Sequence, residues 1–148
     1  MALAKGQPAE VRAKYPHMLP EDVDVWQRYL GGGPAAFEEV WYDVHVGTAM
    51  PMPPDAPEWM QRVVDGVSRK RIDVVASLGT WFWIIELKPV CGMAALGQAV
   101  TYQDLFEAEH AGGRSCLAVV ICHQVEADVQ QTAERLGVLV LANDGVLL

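Results

Sequence analysis

Two acidic residues and a lysine in the middle of the chain have the types and the spacing of a metal-dependent hydrolytic site. Asp73 lies in one apolar, β-branched run, and Glu86 and Lys88 lie in the next. Carboxylate oxygens are the ligands that Mg²⁺ prefers. A bound cation lowers the pKa of water, and a lysine supplies a compact positive charge beside it. This chemistry requires that the fold bring the three side chains together.

A tight turn between the two runs is predicted to do so. The Gly-Thr pair at positions 79–80 suits a two-residue hairpin loop, since glycine is favoured at the first position of a type II′ turn. Closing this loop pairs Leu78 with Trp81. Counting back along both strands then places Asp73 opposite Glu86, with Cβ atoms about 4.5–5.5 Å apart.

The two carboxylates would repel each other in this position. We expect a divalent cation, a shared proton, or the flanking pair of Arg71 and Lys88 to offset that repulsion. A surface ion network of Arg71, Asp73, Glu86 and Lys88 is the alternative interpretation. Strand alternation assigns the neighbouring side chains to a wholly apolar face made of Ile72, Val74, Ala76, Leu78, Trp81, Trp83, Ile85 and Leu87.

The surrounding patterns predict an α/β fold. A lead-in over residues 1–18, which we expect to be poorly ordered, precedes a single domain over 19–148. Helices are predicted at 20–30, 58–67, 93–110 and 125–136, and strands at 40–46, 71–78, 81–87, 116–122 and 138–142. Turn signals follow at 31–34 (Gly-Gly-Gly-Pro) and 143–145 (Asn-Asp-Gly). The expected architecture is a central mixed sheet flanked by helices.

The order Asp73, hairpin, then Glu86-Leu87-Lys88 resembles the core motif of the PD-(D/E)XK nuclease superfamily, which has the restriction-endonuclease-like fold. In that family the aspartate and the E-x-K motif lie on adjacent strands, followed by a helix and a further strand. The resemblance covers residues 40–121. The residue before Asp73 is Ile72 rather than proline, which is a departure from the pattern.

The predicted helix after E-x-K carries a second resemblance. Gln98 and Tyr102 form a Q-x-x-x-Y pattern similar to that of RecB-type exonucleases in the same superfamily. Residues four apart share a helix face. The resemblance implies that Gln98 touches a phosphate or a metal-bound water.

The resemblance implies a Mg²⁺-dependent nuclease that hydrolyses DNA phosphodiester bonds, with Mn²⁺ as a substitute cation. Asp73, Glu86 and the backbone carbonyl of Leu87 would hold the metal, and Lys88 would orient the attacking water. Gln98, Tyr102 and Arg71 would support substrate binding. Many members carry a further acid on the first helix, and the candidates here are Glu21, Asp22, Asp24, Glu38, Glu39 and Asp43.

Composition narrows the function classes. The net charge of −8 argues against non-specific coating of nucleic acid, since phosphate binding needs clustered Lys and Arg. The basic run at 69–71 (Arg-Lys-Arg) is an exception to that charge, and a solvated loop is the other interpretation of it. The glycines at 31–33 lack the Gly-Lys-Ser/Thr of a phosphate loop, so a nucleoside triphosphatase is not supported.

Cellular context follows from the same composition. Three cysteines without a C-x-x-C pair, no apolar stretch of membrane-spanning length and no secretion signal in residues 1–14 predict a cytoplasmic protein without a membrane partner. The alternative to a nuclease is a non-catalytic binding or assembly module of the same fold. Such a module would act with protein partners or as a homo-oligomer, for example in a phage or mobile-element complex.

Overall fold

The computed structural model describes residues 3–32, 36–143 and 146–148. Its elements, in chain order, are α1 (Pro20–Gly31), β1 (Glu39–Val46), α2 (Glu58–Ser68), β2 (Lys70–Leu78), β3 (Trp81–Leu87), β4 (Val90–Cys91), α3 (Met93–Glu109), β5 (Ser115–Cys122), β6 (Gln124–Val125), α4 (Ala127–Arg135) and β7 (Leu139–Ala142). The predicted helices and long strands are confirmed within two residues at each end. Gly33 and Pro34, and residues 144 and 145 of the predicted turn, lie outside the described residues.

The small sheet of β4 and β6 was not predicted. These two-residue strands pair in parallel, Val90 with Gln124 and Cys91 with Val125. Because Val125 belongs to this pairing, α4 begins at Ala127 rather than at Val125. A strand of two residues is too short to show the alternation from which strands are predicted, so the sequence pattern could not indicate this pairing.

The five long strands form one mixed sheet in the order β1-β2-β3-β5-β7. The pairs β1–β2 and β2–β3 are antiparallel, whereas the pairs β3–β5 and β5–β7 are parallel. A parallel neighbour needs a crossover connection, and α3 and α4 supply the two crossovers. The prediction of an α/β fold with a central mixed sheet is confirmed.

Helices cover both faces of the sheet. Trp26 and Tyr29 of α1 are fully buried against one face, together with Val74 and Ile85. The crossover helices α3 and α4 cover the other face, where Phe106 is fully buried. Both faces of β5 are therefore inside the protein, which explains its continuous apolar sequence.

Residues 3–18 pack against the domain instead of forming a separate, poorly ordered segment. Gln7 exchanges two backbone hydrogen bonds with Val40 of β1, of 3.0 and 2.8 Å. Tyr15 is only 5% exposed and belongs to the core beside α1. The polar, mixed composition of this segment gave no sign that Tyr15 would be buried. Burial of the Tyr15 ring holds the neighbouring residues against the domain.

Helix α2 forms as predicted, but none of its residues is buried. Trp59, Val63 and Val67 are spaced to share one face, and they are 59%, 55% and 71% exposed. The sheet and the other helices leave this apolar stripe uncovered. No helix of the described ranges combines the length and apolar character required to cross a membrane.

The alternation of side chains reverses partway along β1 and β2. Val40 and Val74 pack on the α1 side of the sheet, yet Val44 and Ile72, which have the same parity, pack on the α3 side. The assignment of Ile72 to the face of Val74 is therefore wrong. The reversal coincides with Asp43, whose φ of 54° is not an extended-strand value.

Candidate functional site

The hairpin of β2 and β3 positions Asp73 beside Glu86, although not by the predicted backbone pairing. The register follows the prediction from Leu78–Trp81 to Val74–Ile85, and among the described residues the ladder ends there. The next pairs, Asp73–Glu86 and Arg71–Lys88, are not formed. Instead, Asp73 Oδ2 accepts a 2.9 Å hydrogen bond from the backbone N–H of Leu87, so the carboxylate takes the place of a backbone acceptor.

Asp73 lies in line with a second aspartate on its other side. The β1–β2 register pairs Tyr42 with Val74 and Val44 with Ile72, which leaves Asp43 level with Asp73 but outside the ladder. The positive φ of Asp43 removes it from regular pairing. The gap in the β1–β2 ladder at Asp43 and the end of the β2–β3 ladder therefore occur at the same level of the sheet, on either side of Asp73.

Glu86 is the most enclosed acid of the site. It is 4% exposed, and its Oε2 is a buried oxygen with no hydrogen-bond partner in the described residues. Its other oxygen lies 3.8 Å from Nζ of Lys88. An unpaired buried carboxylate oxygen is costly, and a proton, a cation or a bound water molecule would lower that cost.

A third acid comes from α1. Asp22 is 6% exposed, and its charge raises the pKa of both Asp73 and Glu86. The positive charge of Lys88 in turn favours the charged form of Asp22. Asp22 was one of six open candidates in the sequence. Helical spacing distinguishes Asp22 from the other candidates, because it lies on the buried side of α1. That side consists of residues 22, 23, 25, 26 and 29.

The other candidate acids have different roles. Asp24 pairs with Arg28 and His123, at 3.0 and 3.4 Å. Glu38 and Glu39 accept hydrogen bonds from the backbone N–H groups of Gly79 and Gly6. Glu21 is exposed, next to Asp22 on the outer side of α1.

Burial dominates the electrostatics of this acidic cluster. Desolvation raises the pKa of Asp73, which the N–H of Leu87 partly opposes and the charge of Asp22 reinforces. Desolvation also raises the pKa of Glu86, more strongly, with Asp73 adding to the rise and Lys88 opposing it. Without a cation, the pair therefore holds a proton at neutral pH, and Glu86 holds it more tightly.

Helix α3 brings the two predicted Q-x-x-x-Y residues to the same acids. With its amide nitrogen facing the acceptors, Gln98 donates to Glu86 Oε1 at 3.2 Å and to the carbonyl of Ala94 at 3.3 Å. Tyr102 is 9% exposed and hydrogen-bonds with Gln98. Burial raises its pKa, and the nearby charges of Glu86 and Asp73 raise it further.

Arg71 is held at the edge of the site and not opposite Lys88. Its guanidinium lies 3.6 Å from Oδ2 of Asp43 and donates to the backbone carbonyl of Gly66. His17 and His45 approach the same oxygen of Asp43, each at 3.5 Å. Asp43 therefore gathers basic side chains next to the acids of the site.

The basic run at 69–71 divides between structure and surface. Arg69 is half-buried and links two elements, since it donates to Glu109 of α3 at 2.8 Å and to the carbonyl of Gly47 at 2.9 Å. Lys70 is exposed and lines a cavity beside α3. The interpretation of the run as one solvated loop is therefore wrong for Arg69 and Arg71.

The donor atoms suit a cation that retains much of its hydration shell. No group of three or more His, Cys, Asp or Glu side chains within the described ranges is arranged to enclose a metal ion. Glu86, which carries the unpaired oxygen, is however close enough to Asp73 for the charge of Asp73 to raise its pKa. The N–H of Lys88 donates to the carbonyl of Ile121 in β5, so the carbonyl of Leu87, in the same trans peptide, points away from β5 and to the side of Asp73. Mg²⁺ commonly binds through one or two carboxylates plus waters, so these donors fit it.

A comparison of the chain with known protein families, with curated proteins and with solved structures gives no match in any of the three.

Proposed function

We propose that this chain is a metal-dependent nuclease with a restriction-endonuclease-like fold that hydrolyses DNA phosphodiester bonds. One observation carries the proposal: Glu86, which interacts electrostatically with Asp73, has a buried, unpaired carboxylate oxygen, and Lys88 lies 3.8 Å from its other oxygen. A cluster of buried acids with raised pKa values next to a lysine is costly to maintain, and such clusters concentrate at functional sites.

Each residue has a separate role in this proposal. Asp73, Glu86 and the carbonyl of Leu87 would hold Mg²⁺ or Mn²⁺, with Asp22 close enough to add charge. The cation supplies polarisation of the scissile phosphate and a lower pKa for its bound water. Lys88 orients that water and stabilises the negative charge that develops on the phosphoryl oxygens.

Gln98 and Tyr102 fix the geometry of the acids. Gln98 holds one oxygen of Glu86, which leaves the unpaired oxygen for the cation. The hydrogen bond between Tyr102 and Gln98 restricts the rotation of the amide. Side chains held in this way cost little reorganisation when the substrate binds.

A cleavage assay tests the proposal. Purified protein is incubated with linear, circular and single-stranded DNA, with EDTA, Mg²⁺ or Mn²⁺. We expect cleavage only with a divalent cation, and its loss in Glu86→Gln. Glu58→Gln is the matched control, because the Glu58 side chain is 85% exposed on α2. Wild-type protein that cleaves none of these substrates, or Glu86→Gln protein that cleaves normally, contradicts the proposal.

A non-catalytic binding module is the second candidate, and a specific observation favours it. The exposed apolar stripe of Trp59, Val63 and Val67 on α2 has the character of a protein-contact surface. The net charge of −8 also suits a protein partner better than extended contact with DNA. Absence of metal-dependent cleavage on every substrate, with and without partner proteins, would favour this candidate.

A further inference from the structure

Helix α2 carries an apolar stripe that the domain leaves uncovered. Trp59, Val63 and Val67 recur at intervals of four residues, and each is more than half exposed. None of the 11 residues of the helix is buried. A helix of this length is only marginally stable in water by itself, because most helices gain their stability by packing an apolar face. The stripe therefore favours a covering surface.

Polar contacts attach the C-terminal end of α2 to the domain. Ser68 Oγ accepts a 2.7 Å hydrogen bond from the backbone N–H of Met50, and the guanidinium of Arg71 donates to the carbonyl of Gly66. These contacts hold the helix in place without covering the stripe. A surface that is already formed loses little conformational entropy when it binds a partner.

The charges of α2 suit a protein partner better than a nucleic acid or a membrane. The helix carries two acids, Glu58 and Asp65, and one base, Arg62. Phosphates and anionic lipid headgroups instead attract helices that are rich in lysine and arginine. The covering surface should therefore be apolar in its centre and of mixed charge at its border.

The stripe is complementary in shape to a second copy of itself. Trp59 and Val67 lie at equal distances along the chain from Val63. An antiparallel copy related by a two-fold axis at Val63 therefore places each Trp59 against Val67 of the other copy. The adjacent residue is Gly66, and the space beside it is open. The indole ring of Trp59 would fill this space, so a large side chain meets two small residues.

The charges beside the stripe are complementary in the same arrangement. Arg62 and Asp65 are three residues apart, so they lie on the same flank of the helix, and their side chains are 70% and 52% exposed. When two helices pair in antiparallel orientation, matching flanks meet. Arg62 of each copy then faces Asp65 of the other, which forms two equivalent ion pairs. A parallel pair would instead bring like charges together.

We propose that the protein forms an antiparallel homodimer through α2, in which Trp59 of each copy packs against Gly66 and Val67 of the other. This inference does not depend on the nuclease function. A single helix pair is smaller than a standard interface, so we expect a dissociation constant of about 1–100 μM.

Sedimentation velocity over a range of protein concentrations tests the dimer. Val63→Glu places two carboxylates opposite each other at the two-fold axis, and like charges in contact are costly. We expect its dissociation constant to rise about 100-fold. Val11→Glu is the matched control, because Val11 is 58% exposed outside α2 and Val63 is 55% exposed. Circular dichroism establishes that both variants fold.

Charge reversal identifies the partner as a second copy. Arg62→Glu and Asp65→Arg should each weaken dimerisation about tenfold, because each variant pairs like charges between copies. An equimolar mixture of the two variants should form heterodimers with the affinity of the wild type. In that heterodimer the two reversed residues face each other, and the two native residues also face each other. A mixture that associates no better than its components overturns the antiparallel pairing.

Gly66→Leu separates loss of the dimer from loss of folding. Leucine favours a helix more than glycine does, so the melting temperature measured on dilute, monomeric protein should not fall. The dimer should weaken at least tenfold, because the leucine fills the space that Trp59 needs. Dimerisation of Gly66→Leu with wild-type affinity overturns the assigned contact. A wild type that stays monomeric at its highest soluble concentration overturns the homodimer and assigns the stripe to a different protein.

Discussion

At the scale of single residues, Glu86 should make stability depend on pH. Burial raises the pKa of its carboxyl in the folded protein. From about pH 4, the ordinary carboxyl value, up to the raised pKa, the folded state therefore holds more protons than the unfolded state. Stability contributed by this protonated group is present at low pH and decreases as the pH rises through that range.

The corresponding variant is Glu86→Gln, which keeps the shape and removes the charge. In EDTA, we expect the wild-type free energy of unfolding to fall between about pH 5 and pH 8. Glu86→Gln should fall less and be more stable at pH 8 by about 1–3 kcal/mol. Chemical denaturation at both pH values measures this, with Glu58→Gln as the control. Equal pH dependence in wild type and Glu86→Gln would show that Glu86 is ionised throughout.

Lys88 should separate cation binding from turnover. Its Nζ lies near Glu86 Oε1, and its side chain is 34% exposed, so it can reach both an acid and a substrate. We expect Lys88→Ala to bind Mn²⁺ at least as well as the wild type, because a competing positive charge is removed. Its cleavage rate should fall by about 10²–10³. Calorimetry and a DNA cleavage assay measure the two properties.

Lys14→Ala is the control for this experiment, since Lys14 is an exposed lysine in the N-terminal segment. Wild-type cleavage by Lys88→Ala would refute the role assigned to Lys88. Loss of Mn²⁺ binding in that variant would instead make Lys88 a structural partner of the acids.

Asp22 should contribute to the site from α1. We expect Asp22→Asn to fold normally, because burial already raises the pKa of this carboxyl and disfavours its charge. Its affinity for Mn²⁺ should fall by about 10–100-fold. Glu21→Gln is the neighbouring control, and isothermal titration calorimetry is the measurement. An unchanged Mn²⁺ affinity in Asp22→Asn would remove Asp22 from the site.

At the scale of elements, the sequence predicted the hairpin and not the distortion beside it. Glycine followed by threonine specified a turn, and five residue pairs followed from it. Counting further pairs back from the turn failed at Asp73, because such counting assumes that both strands stay regular. The composition of β1 does not predict a positive φ at Asp43, since aspartate adopts that conformation only occasionally. Long-range contacts decide where such a break falls.

The positive φ of Asp43 in β1 should reverse the usual order of stability between alanine and glycine. Alanine is normally more stable than glycine within a strand. At Asp43, where φ is 54°, we expect Asp43→Gly to be more stable than Asp43→Ala by about 1 kcal/mol. Both variants lose the same carboxylate, so the difference isolates the backbone. Thermal and urea denaturation measure it.

The neighbouring residue on the same strand provides the comparison. His45 is in β1 and is not among the residues of positive φ. His45→Ala should therefore be more stable than His45→Gly, which is the usual order. The same order at Asp43 would mean that its backbone is an ordinary strand in solution.

At the scale of the whole molecule, cation binding should stabilise the fold. A ligand that binds only the folded state stabilises it by RT ln(1 + [L]/Kd) and therefore raises the melting temperature. We expect Mg²⁺ and Mn²⁺ to raise the melting temperature of the wild type but not of Glu86→Gln. The increase should be larger at pH 8 than at pH 6, because protons compete less with the cation for Asp73 and Glu86 at the higher pH. A shift of equal size in both proteins would indicate binding elsewhere.

The sequence predicted the α/β class and the mixed sheet because each long element carries its own periodicity. It did not predict how residues distant along the chain meet. Asp22 reaches the hairpin acids from α1, and Tyr15 anchors the segment before that helix. Both depend on how α1 packs across the sheet, which no local window of sequence contains.

The bridges made by Gln7 and Leu147 have a consequence for how copies of the protein meet. Gln7 pairs with Val40 on the outer side of β1, and Leu147 pairs with Leu141 on the outer side of β7. Backbone groups at one point on each border of the sheet are thus already occupied by another segment of the chain. A second copy could add its strand at these points only by first displacing that segment, which opposes cross-β aggregation there.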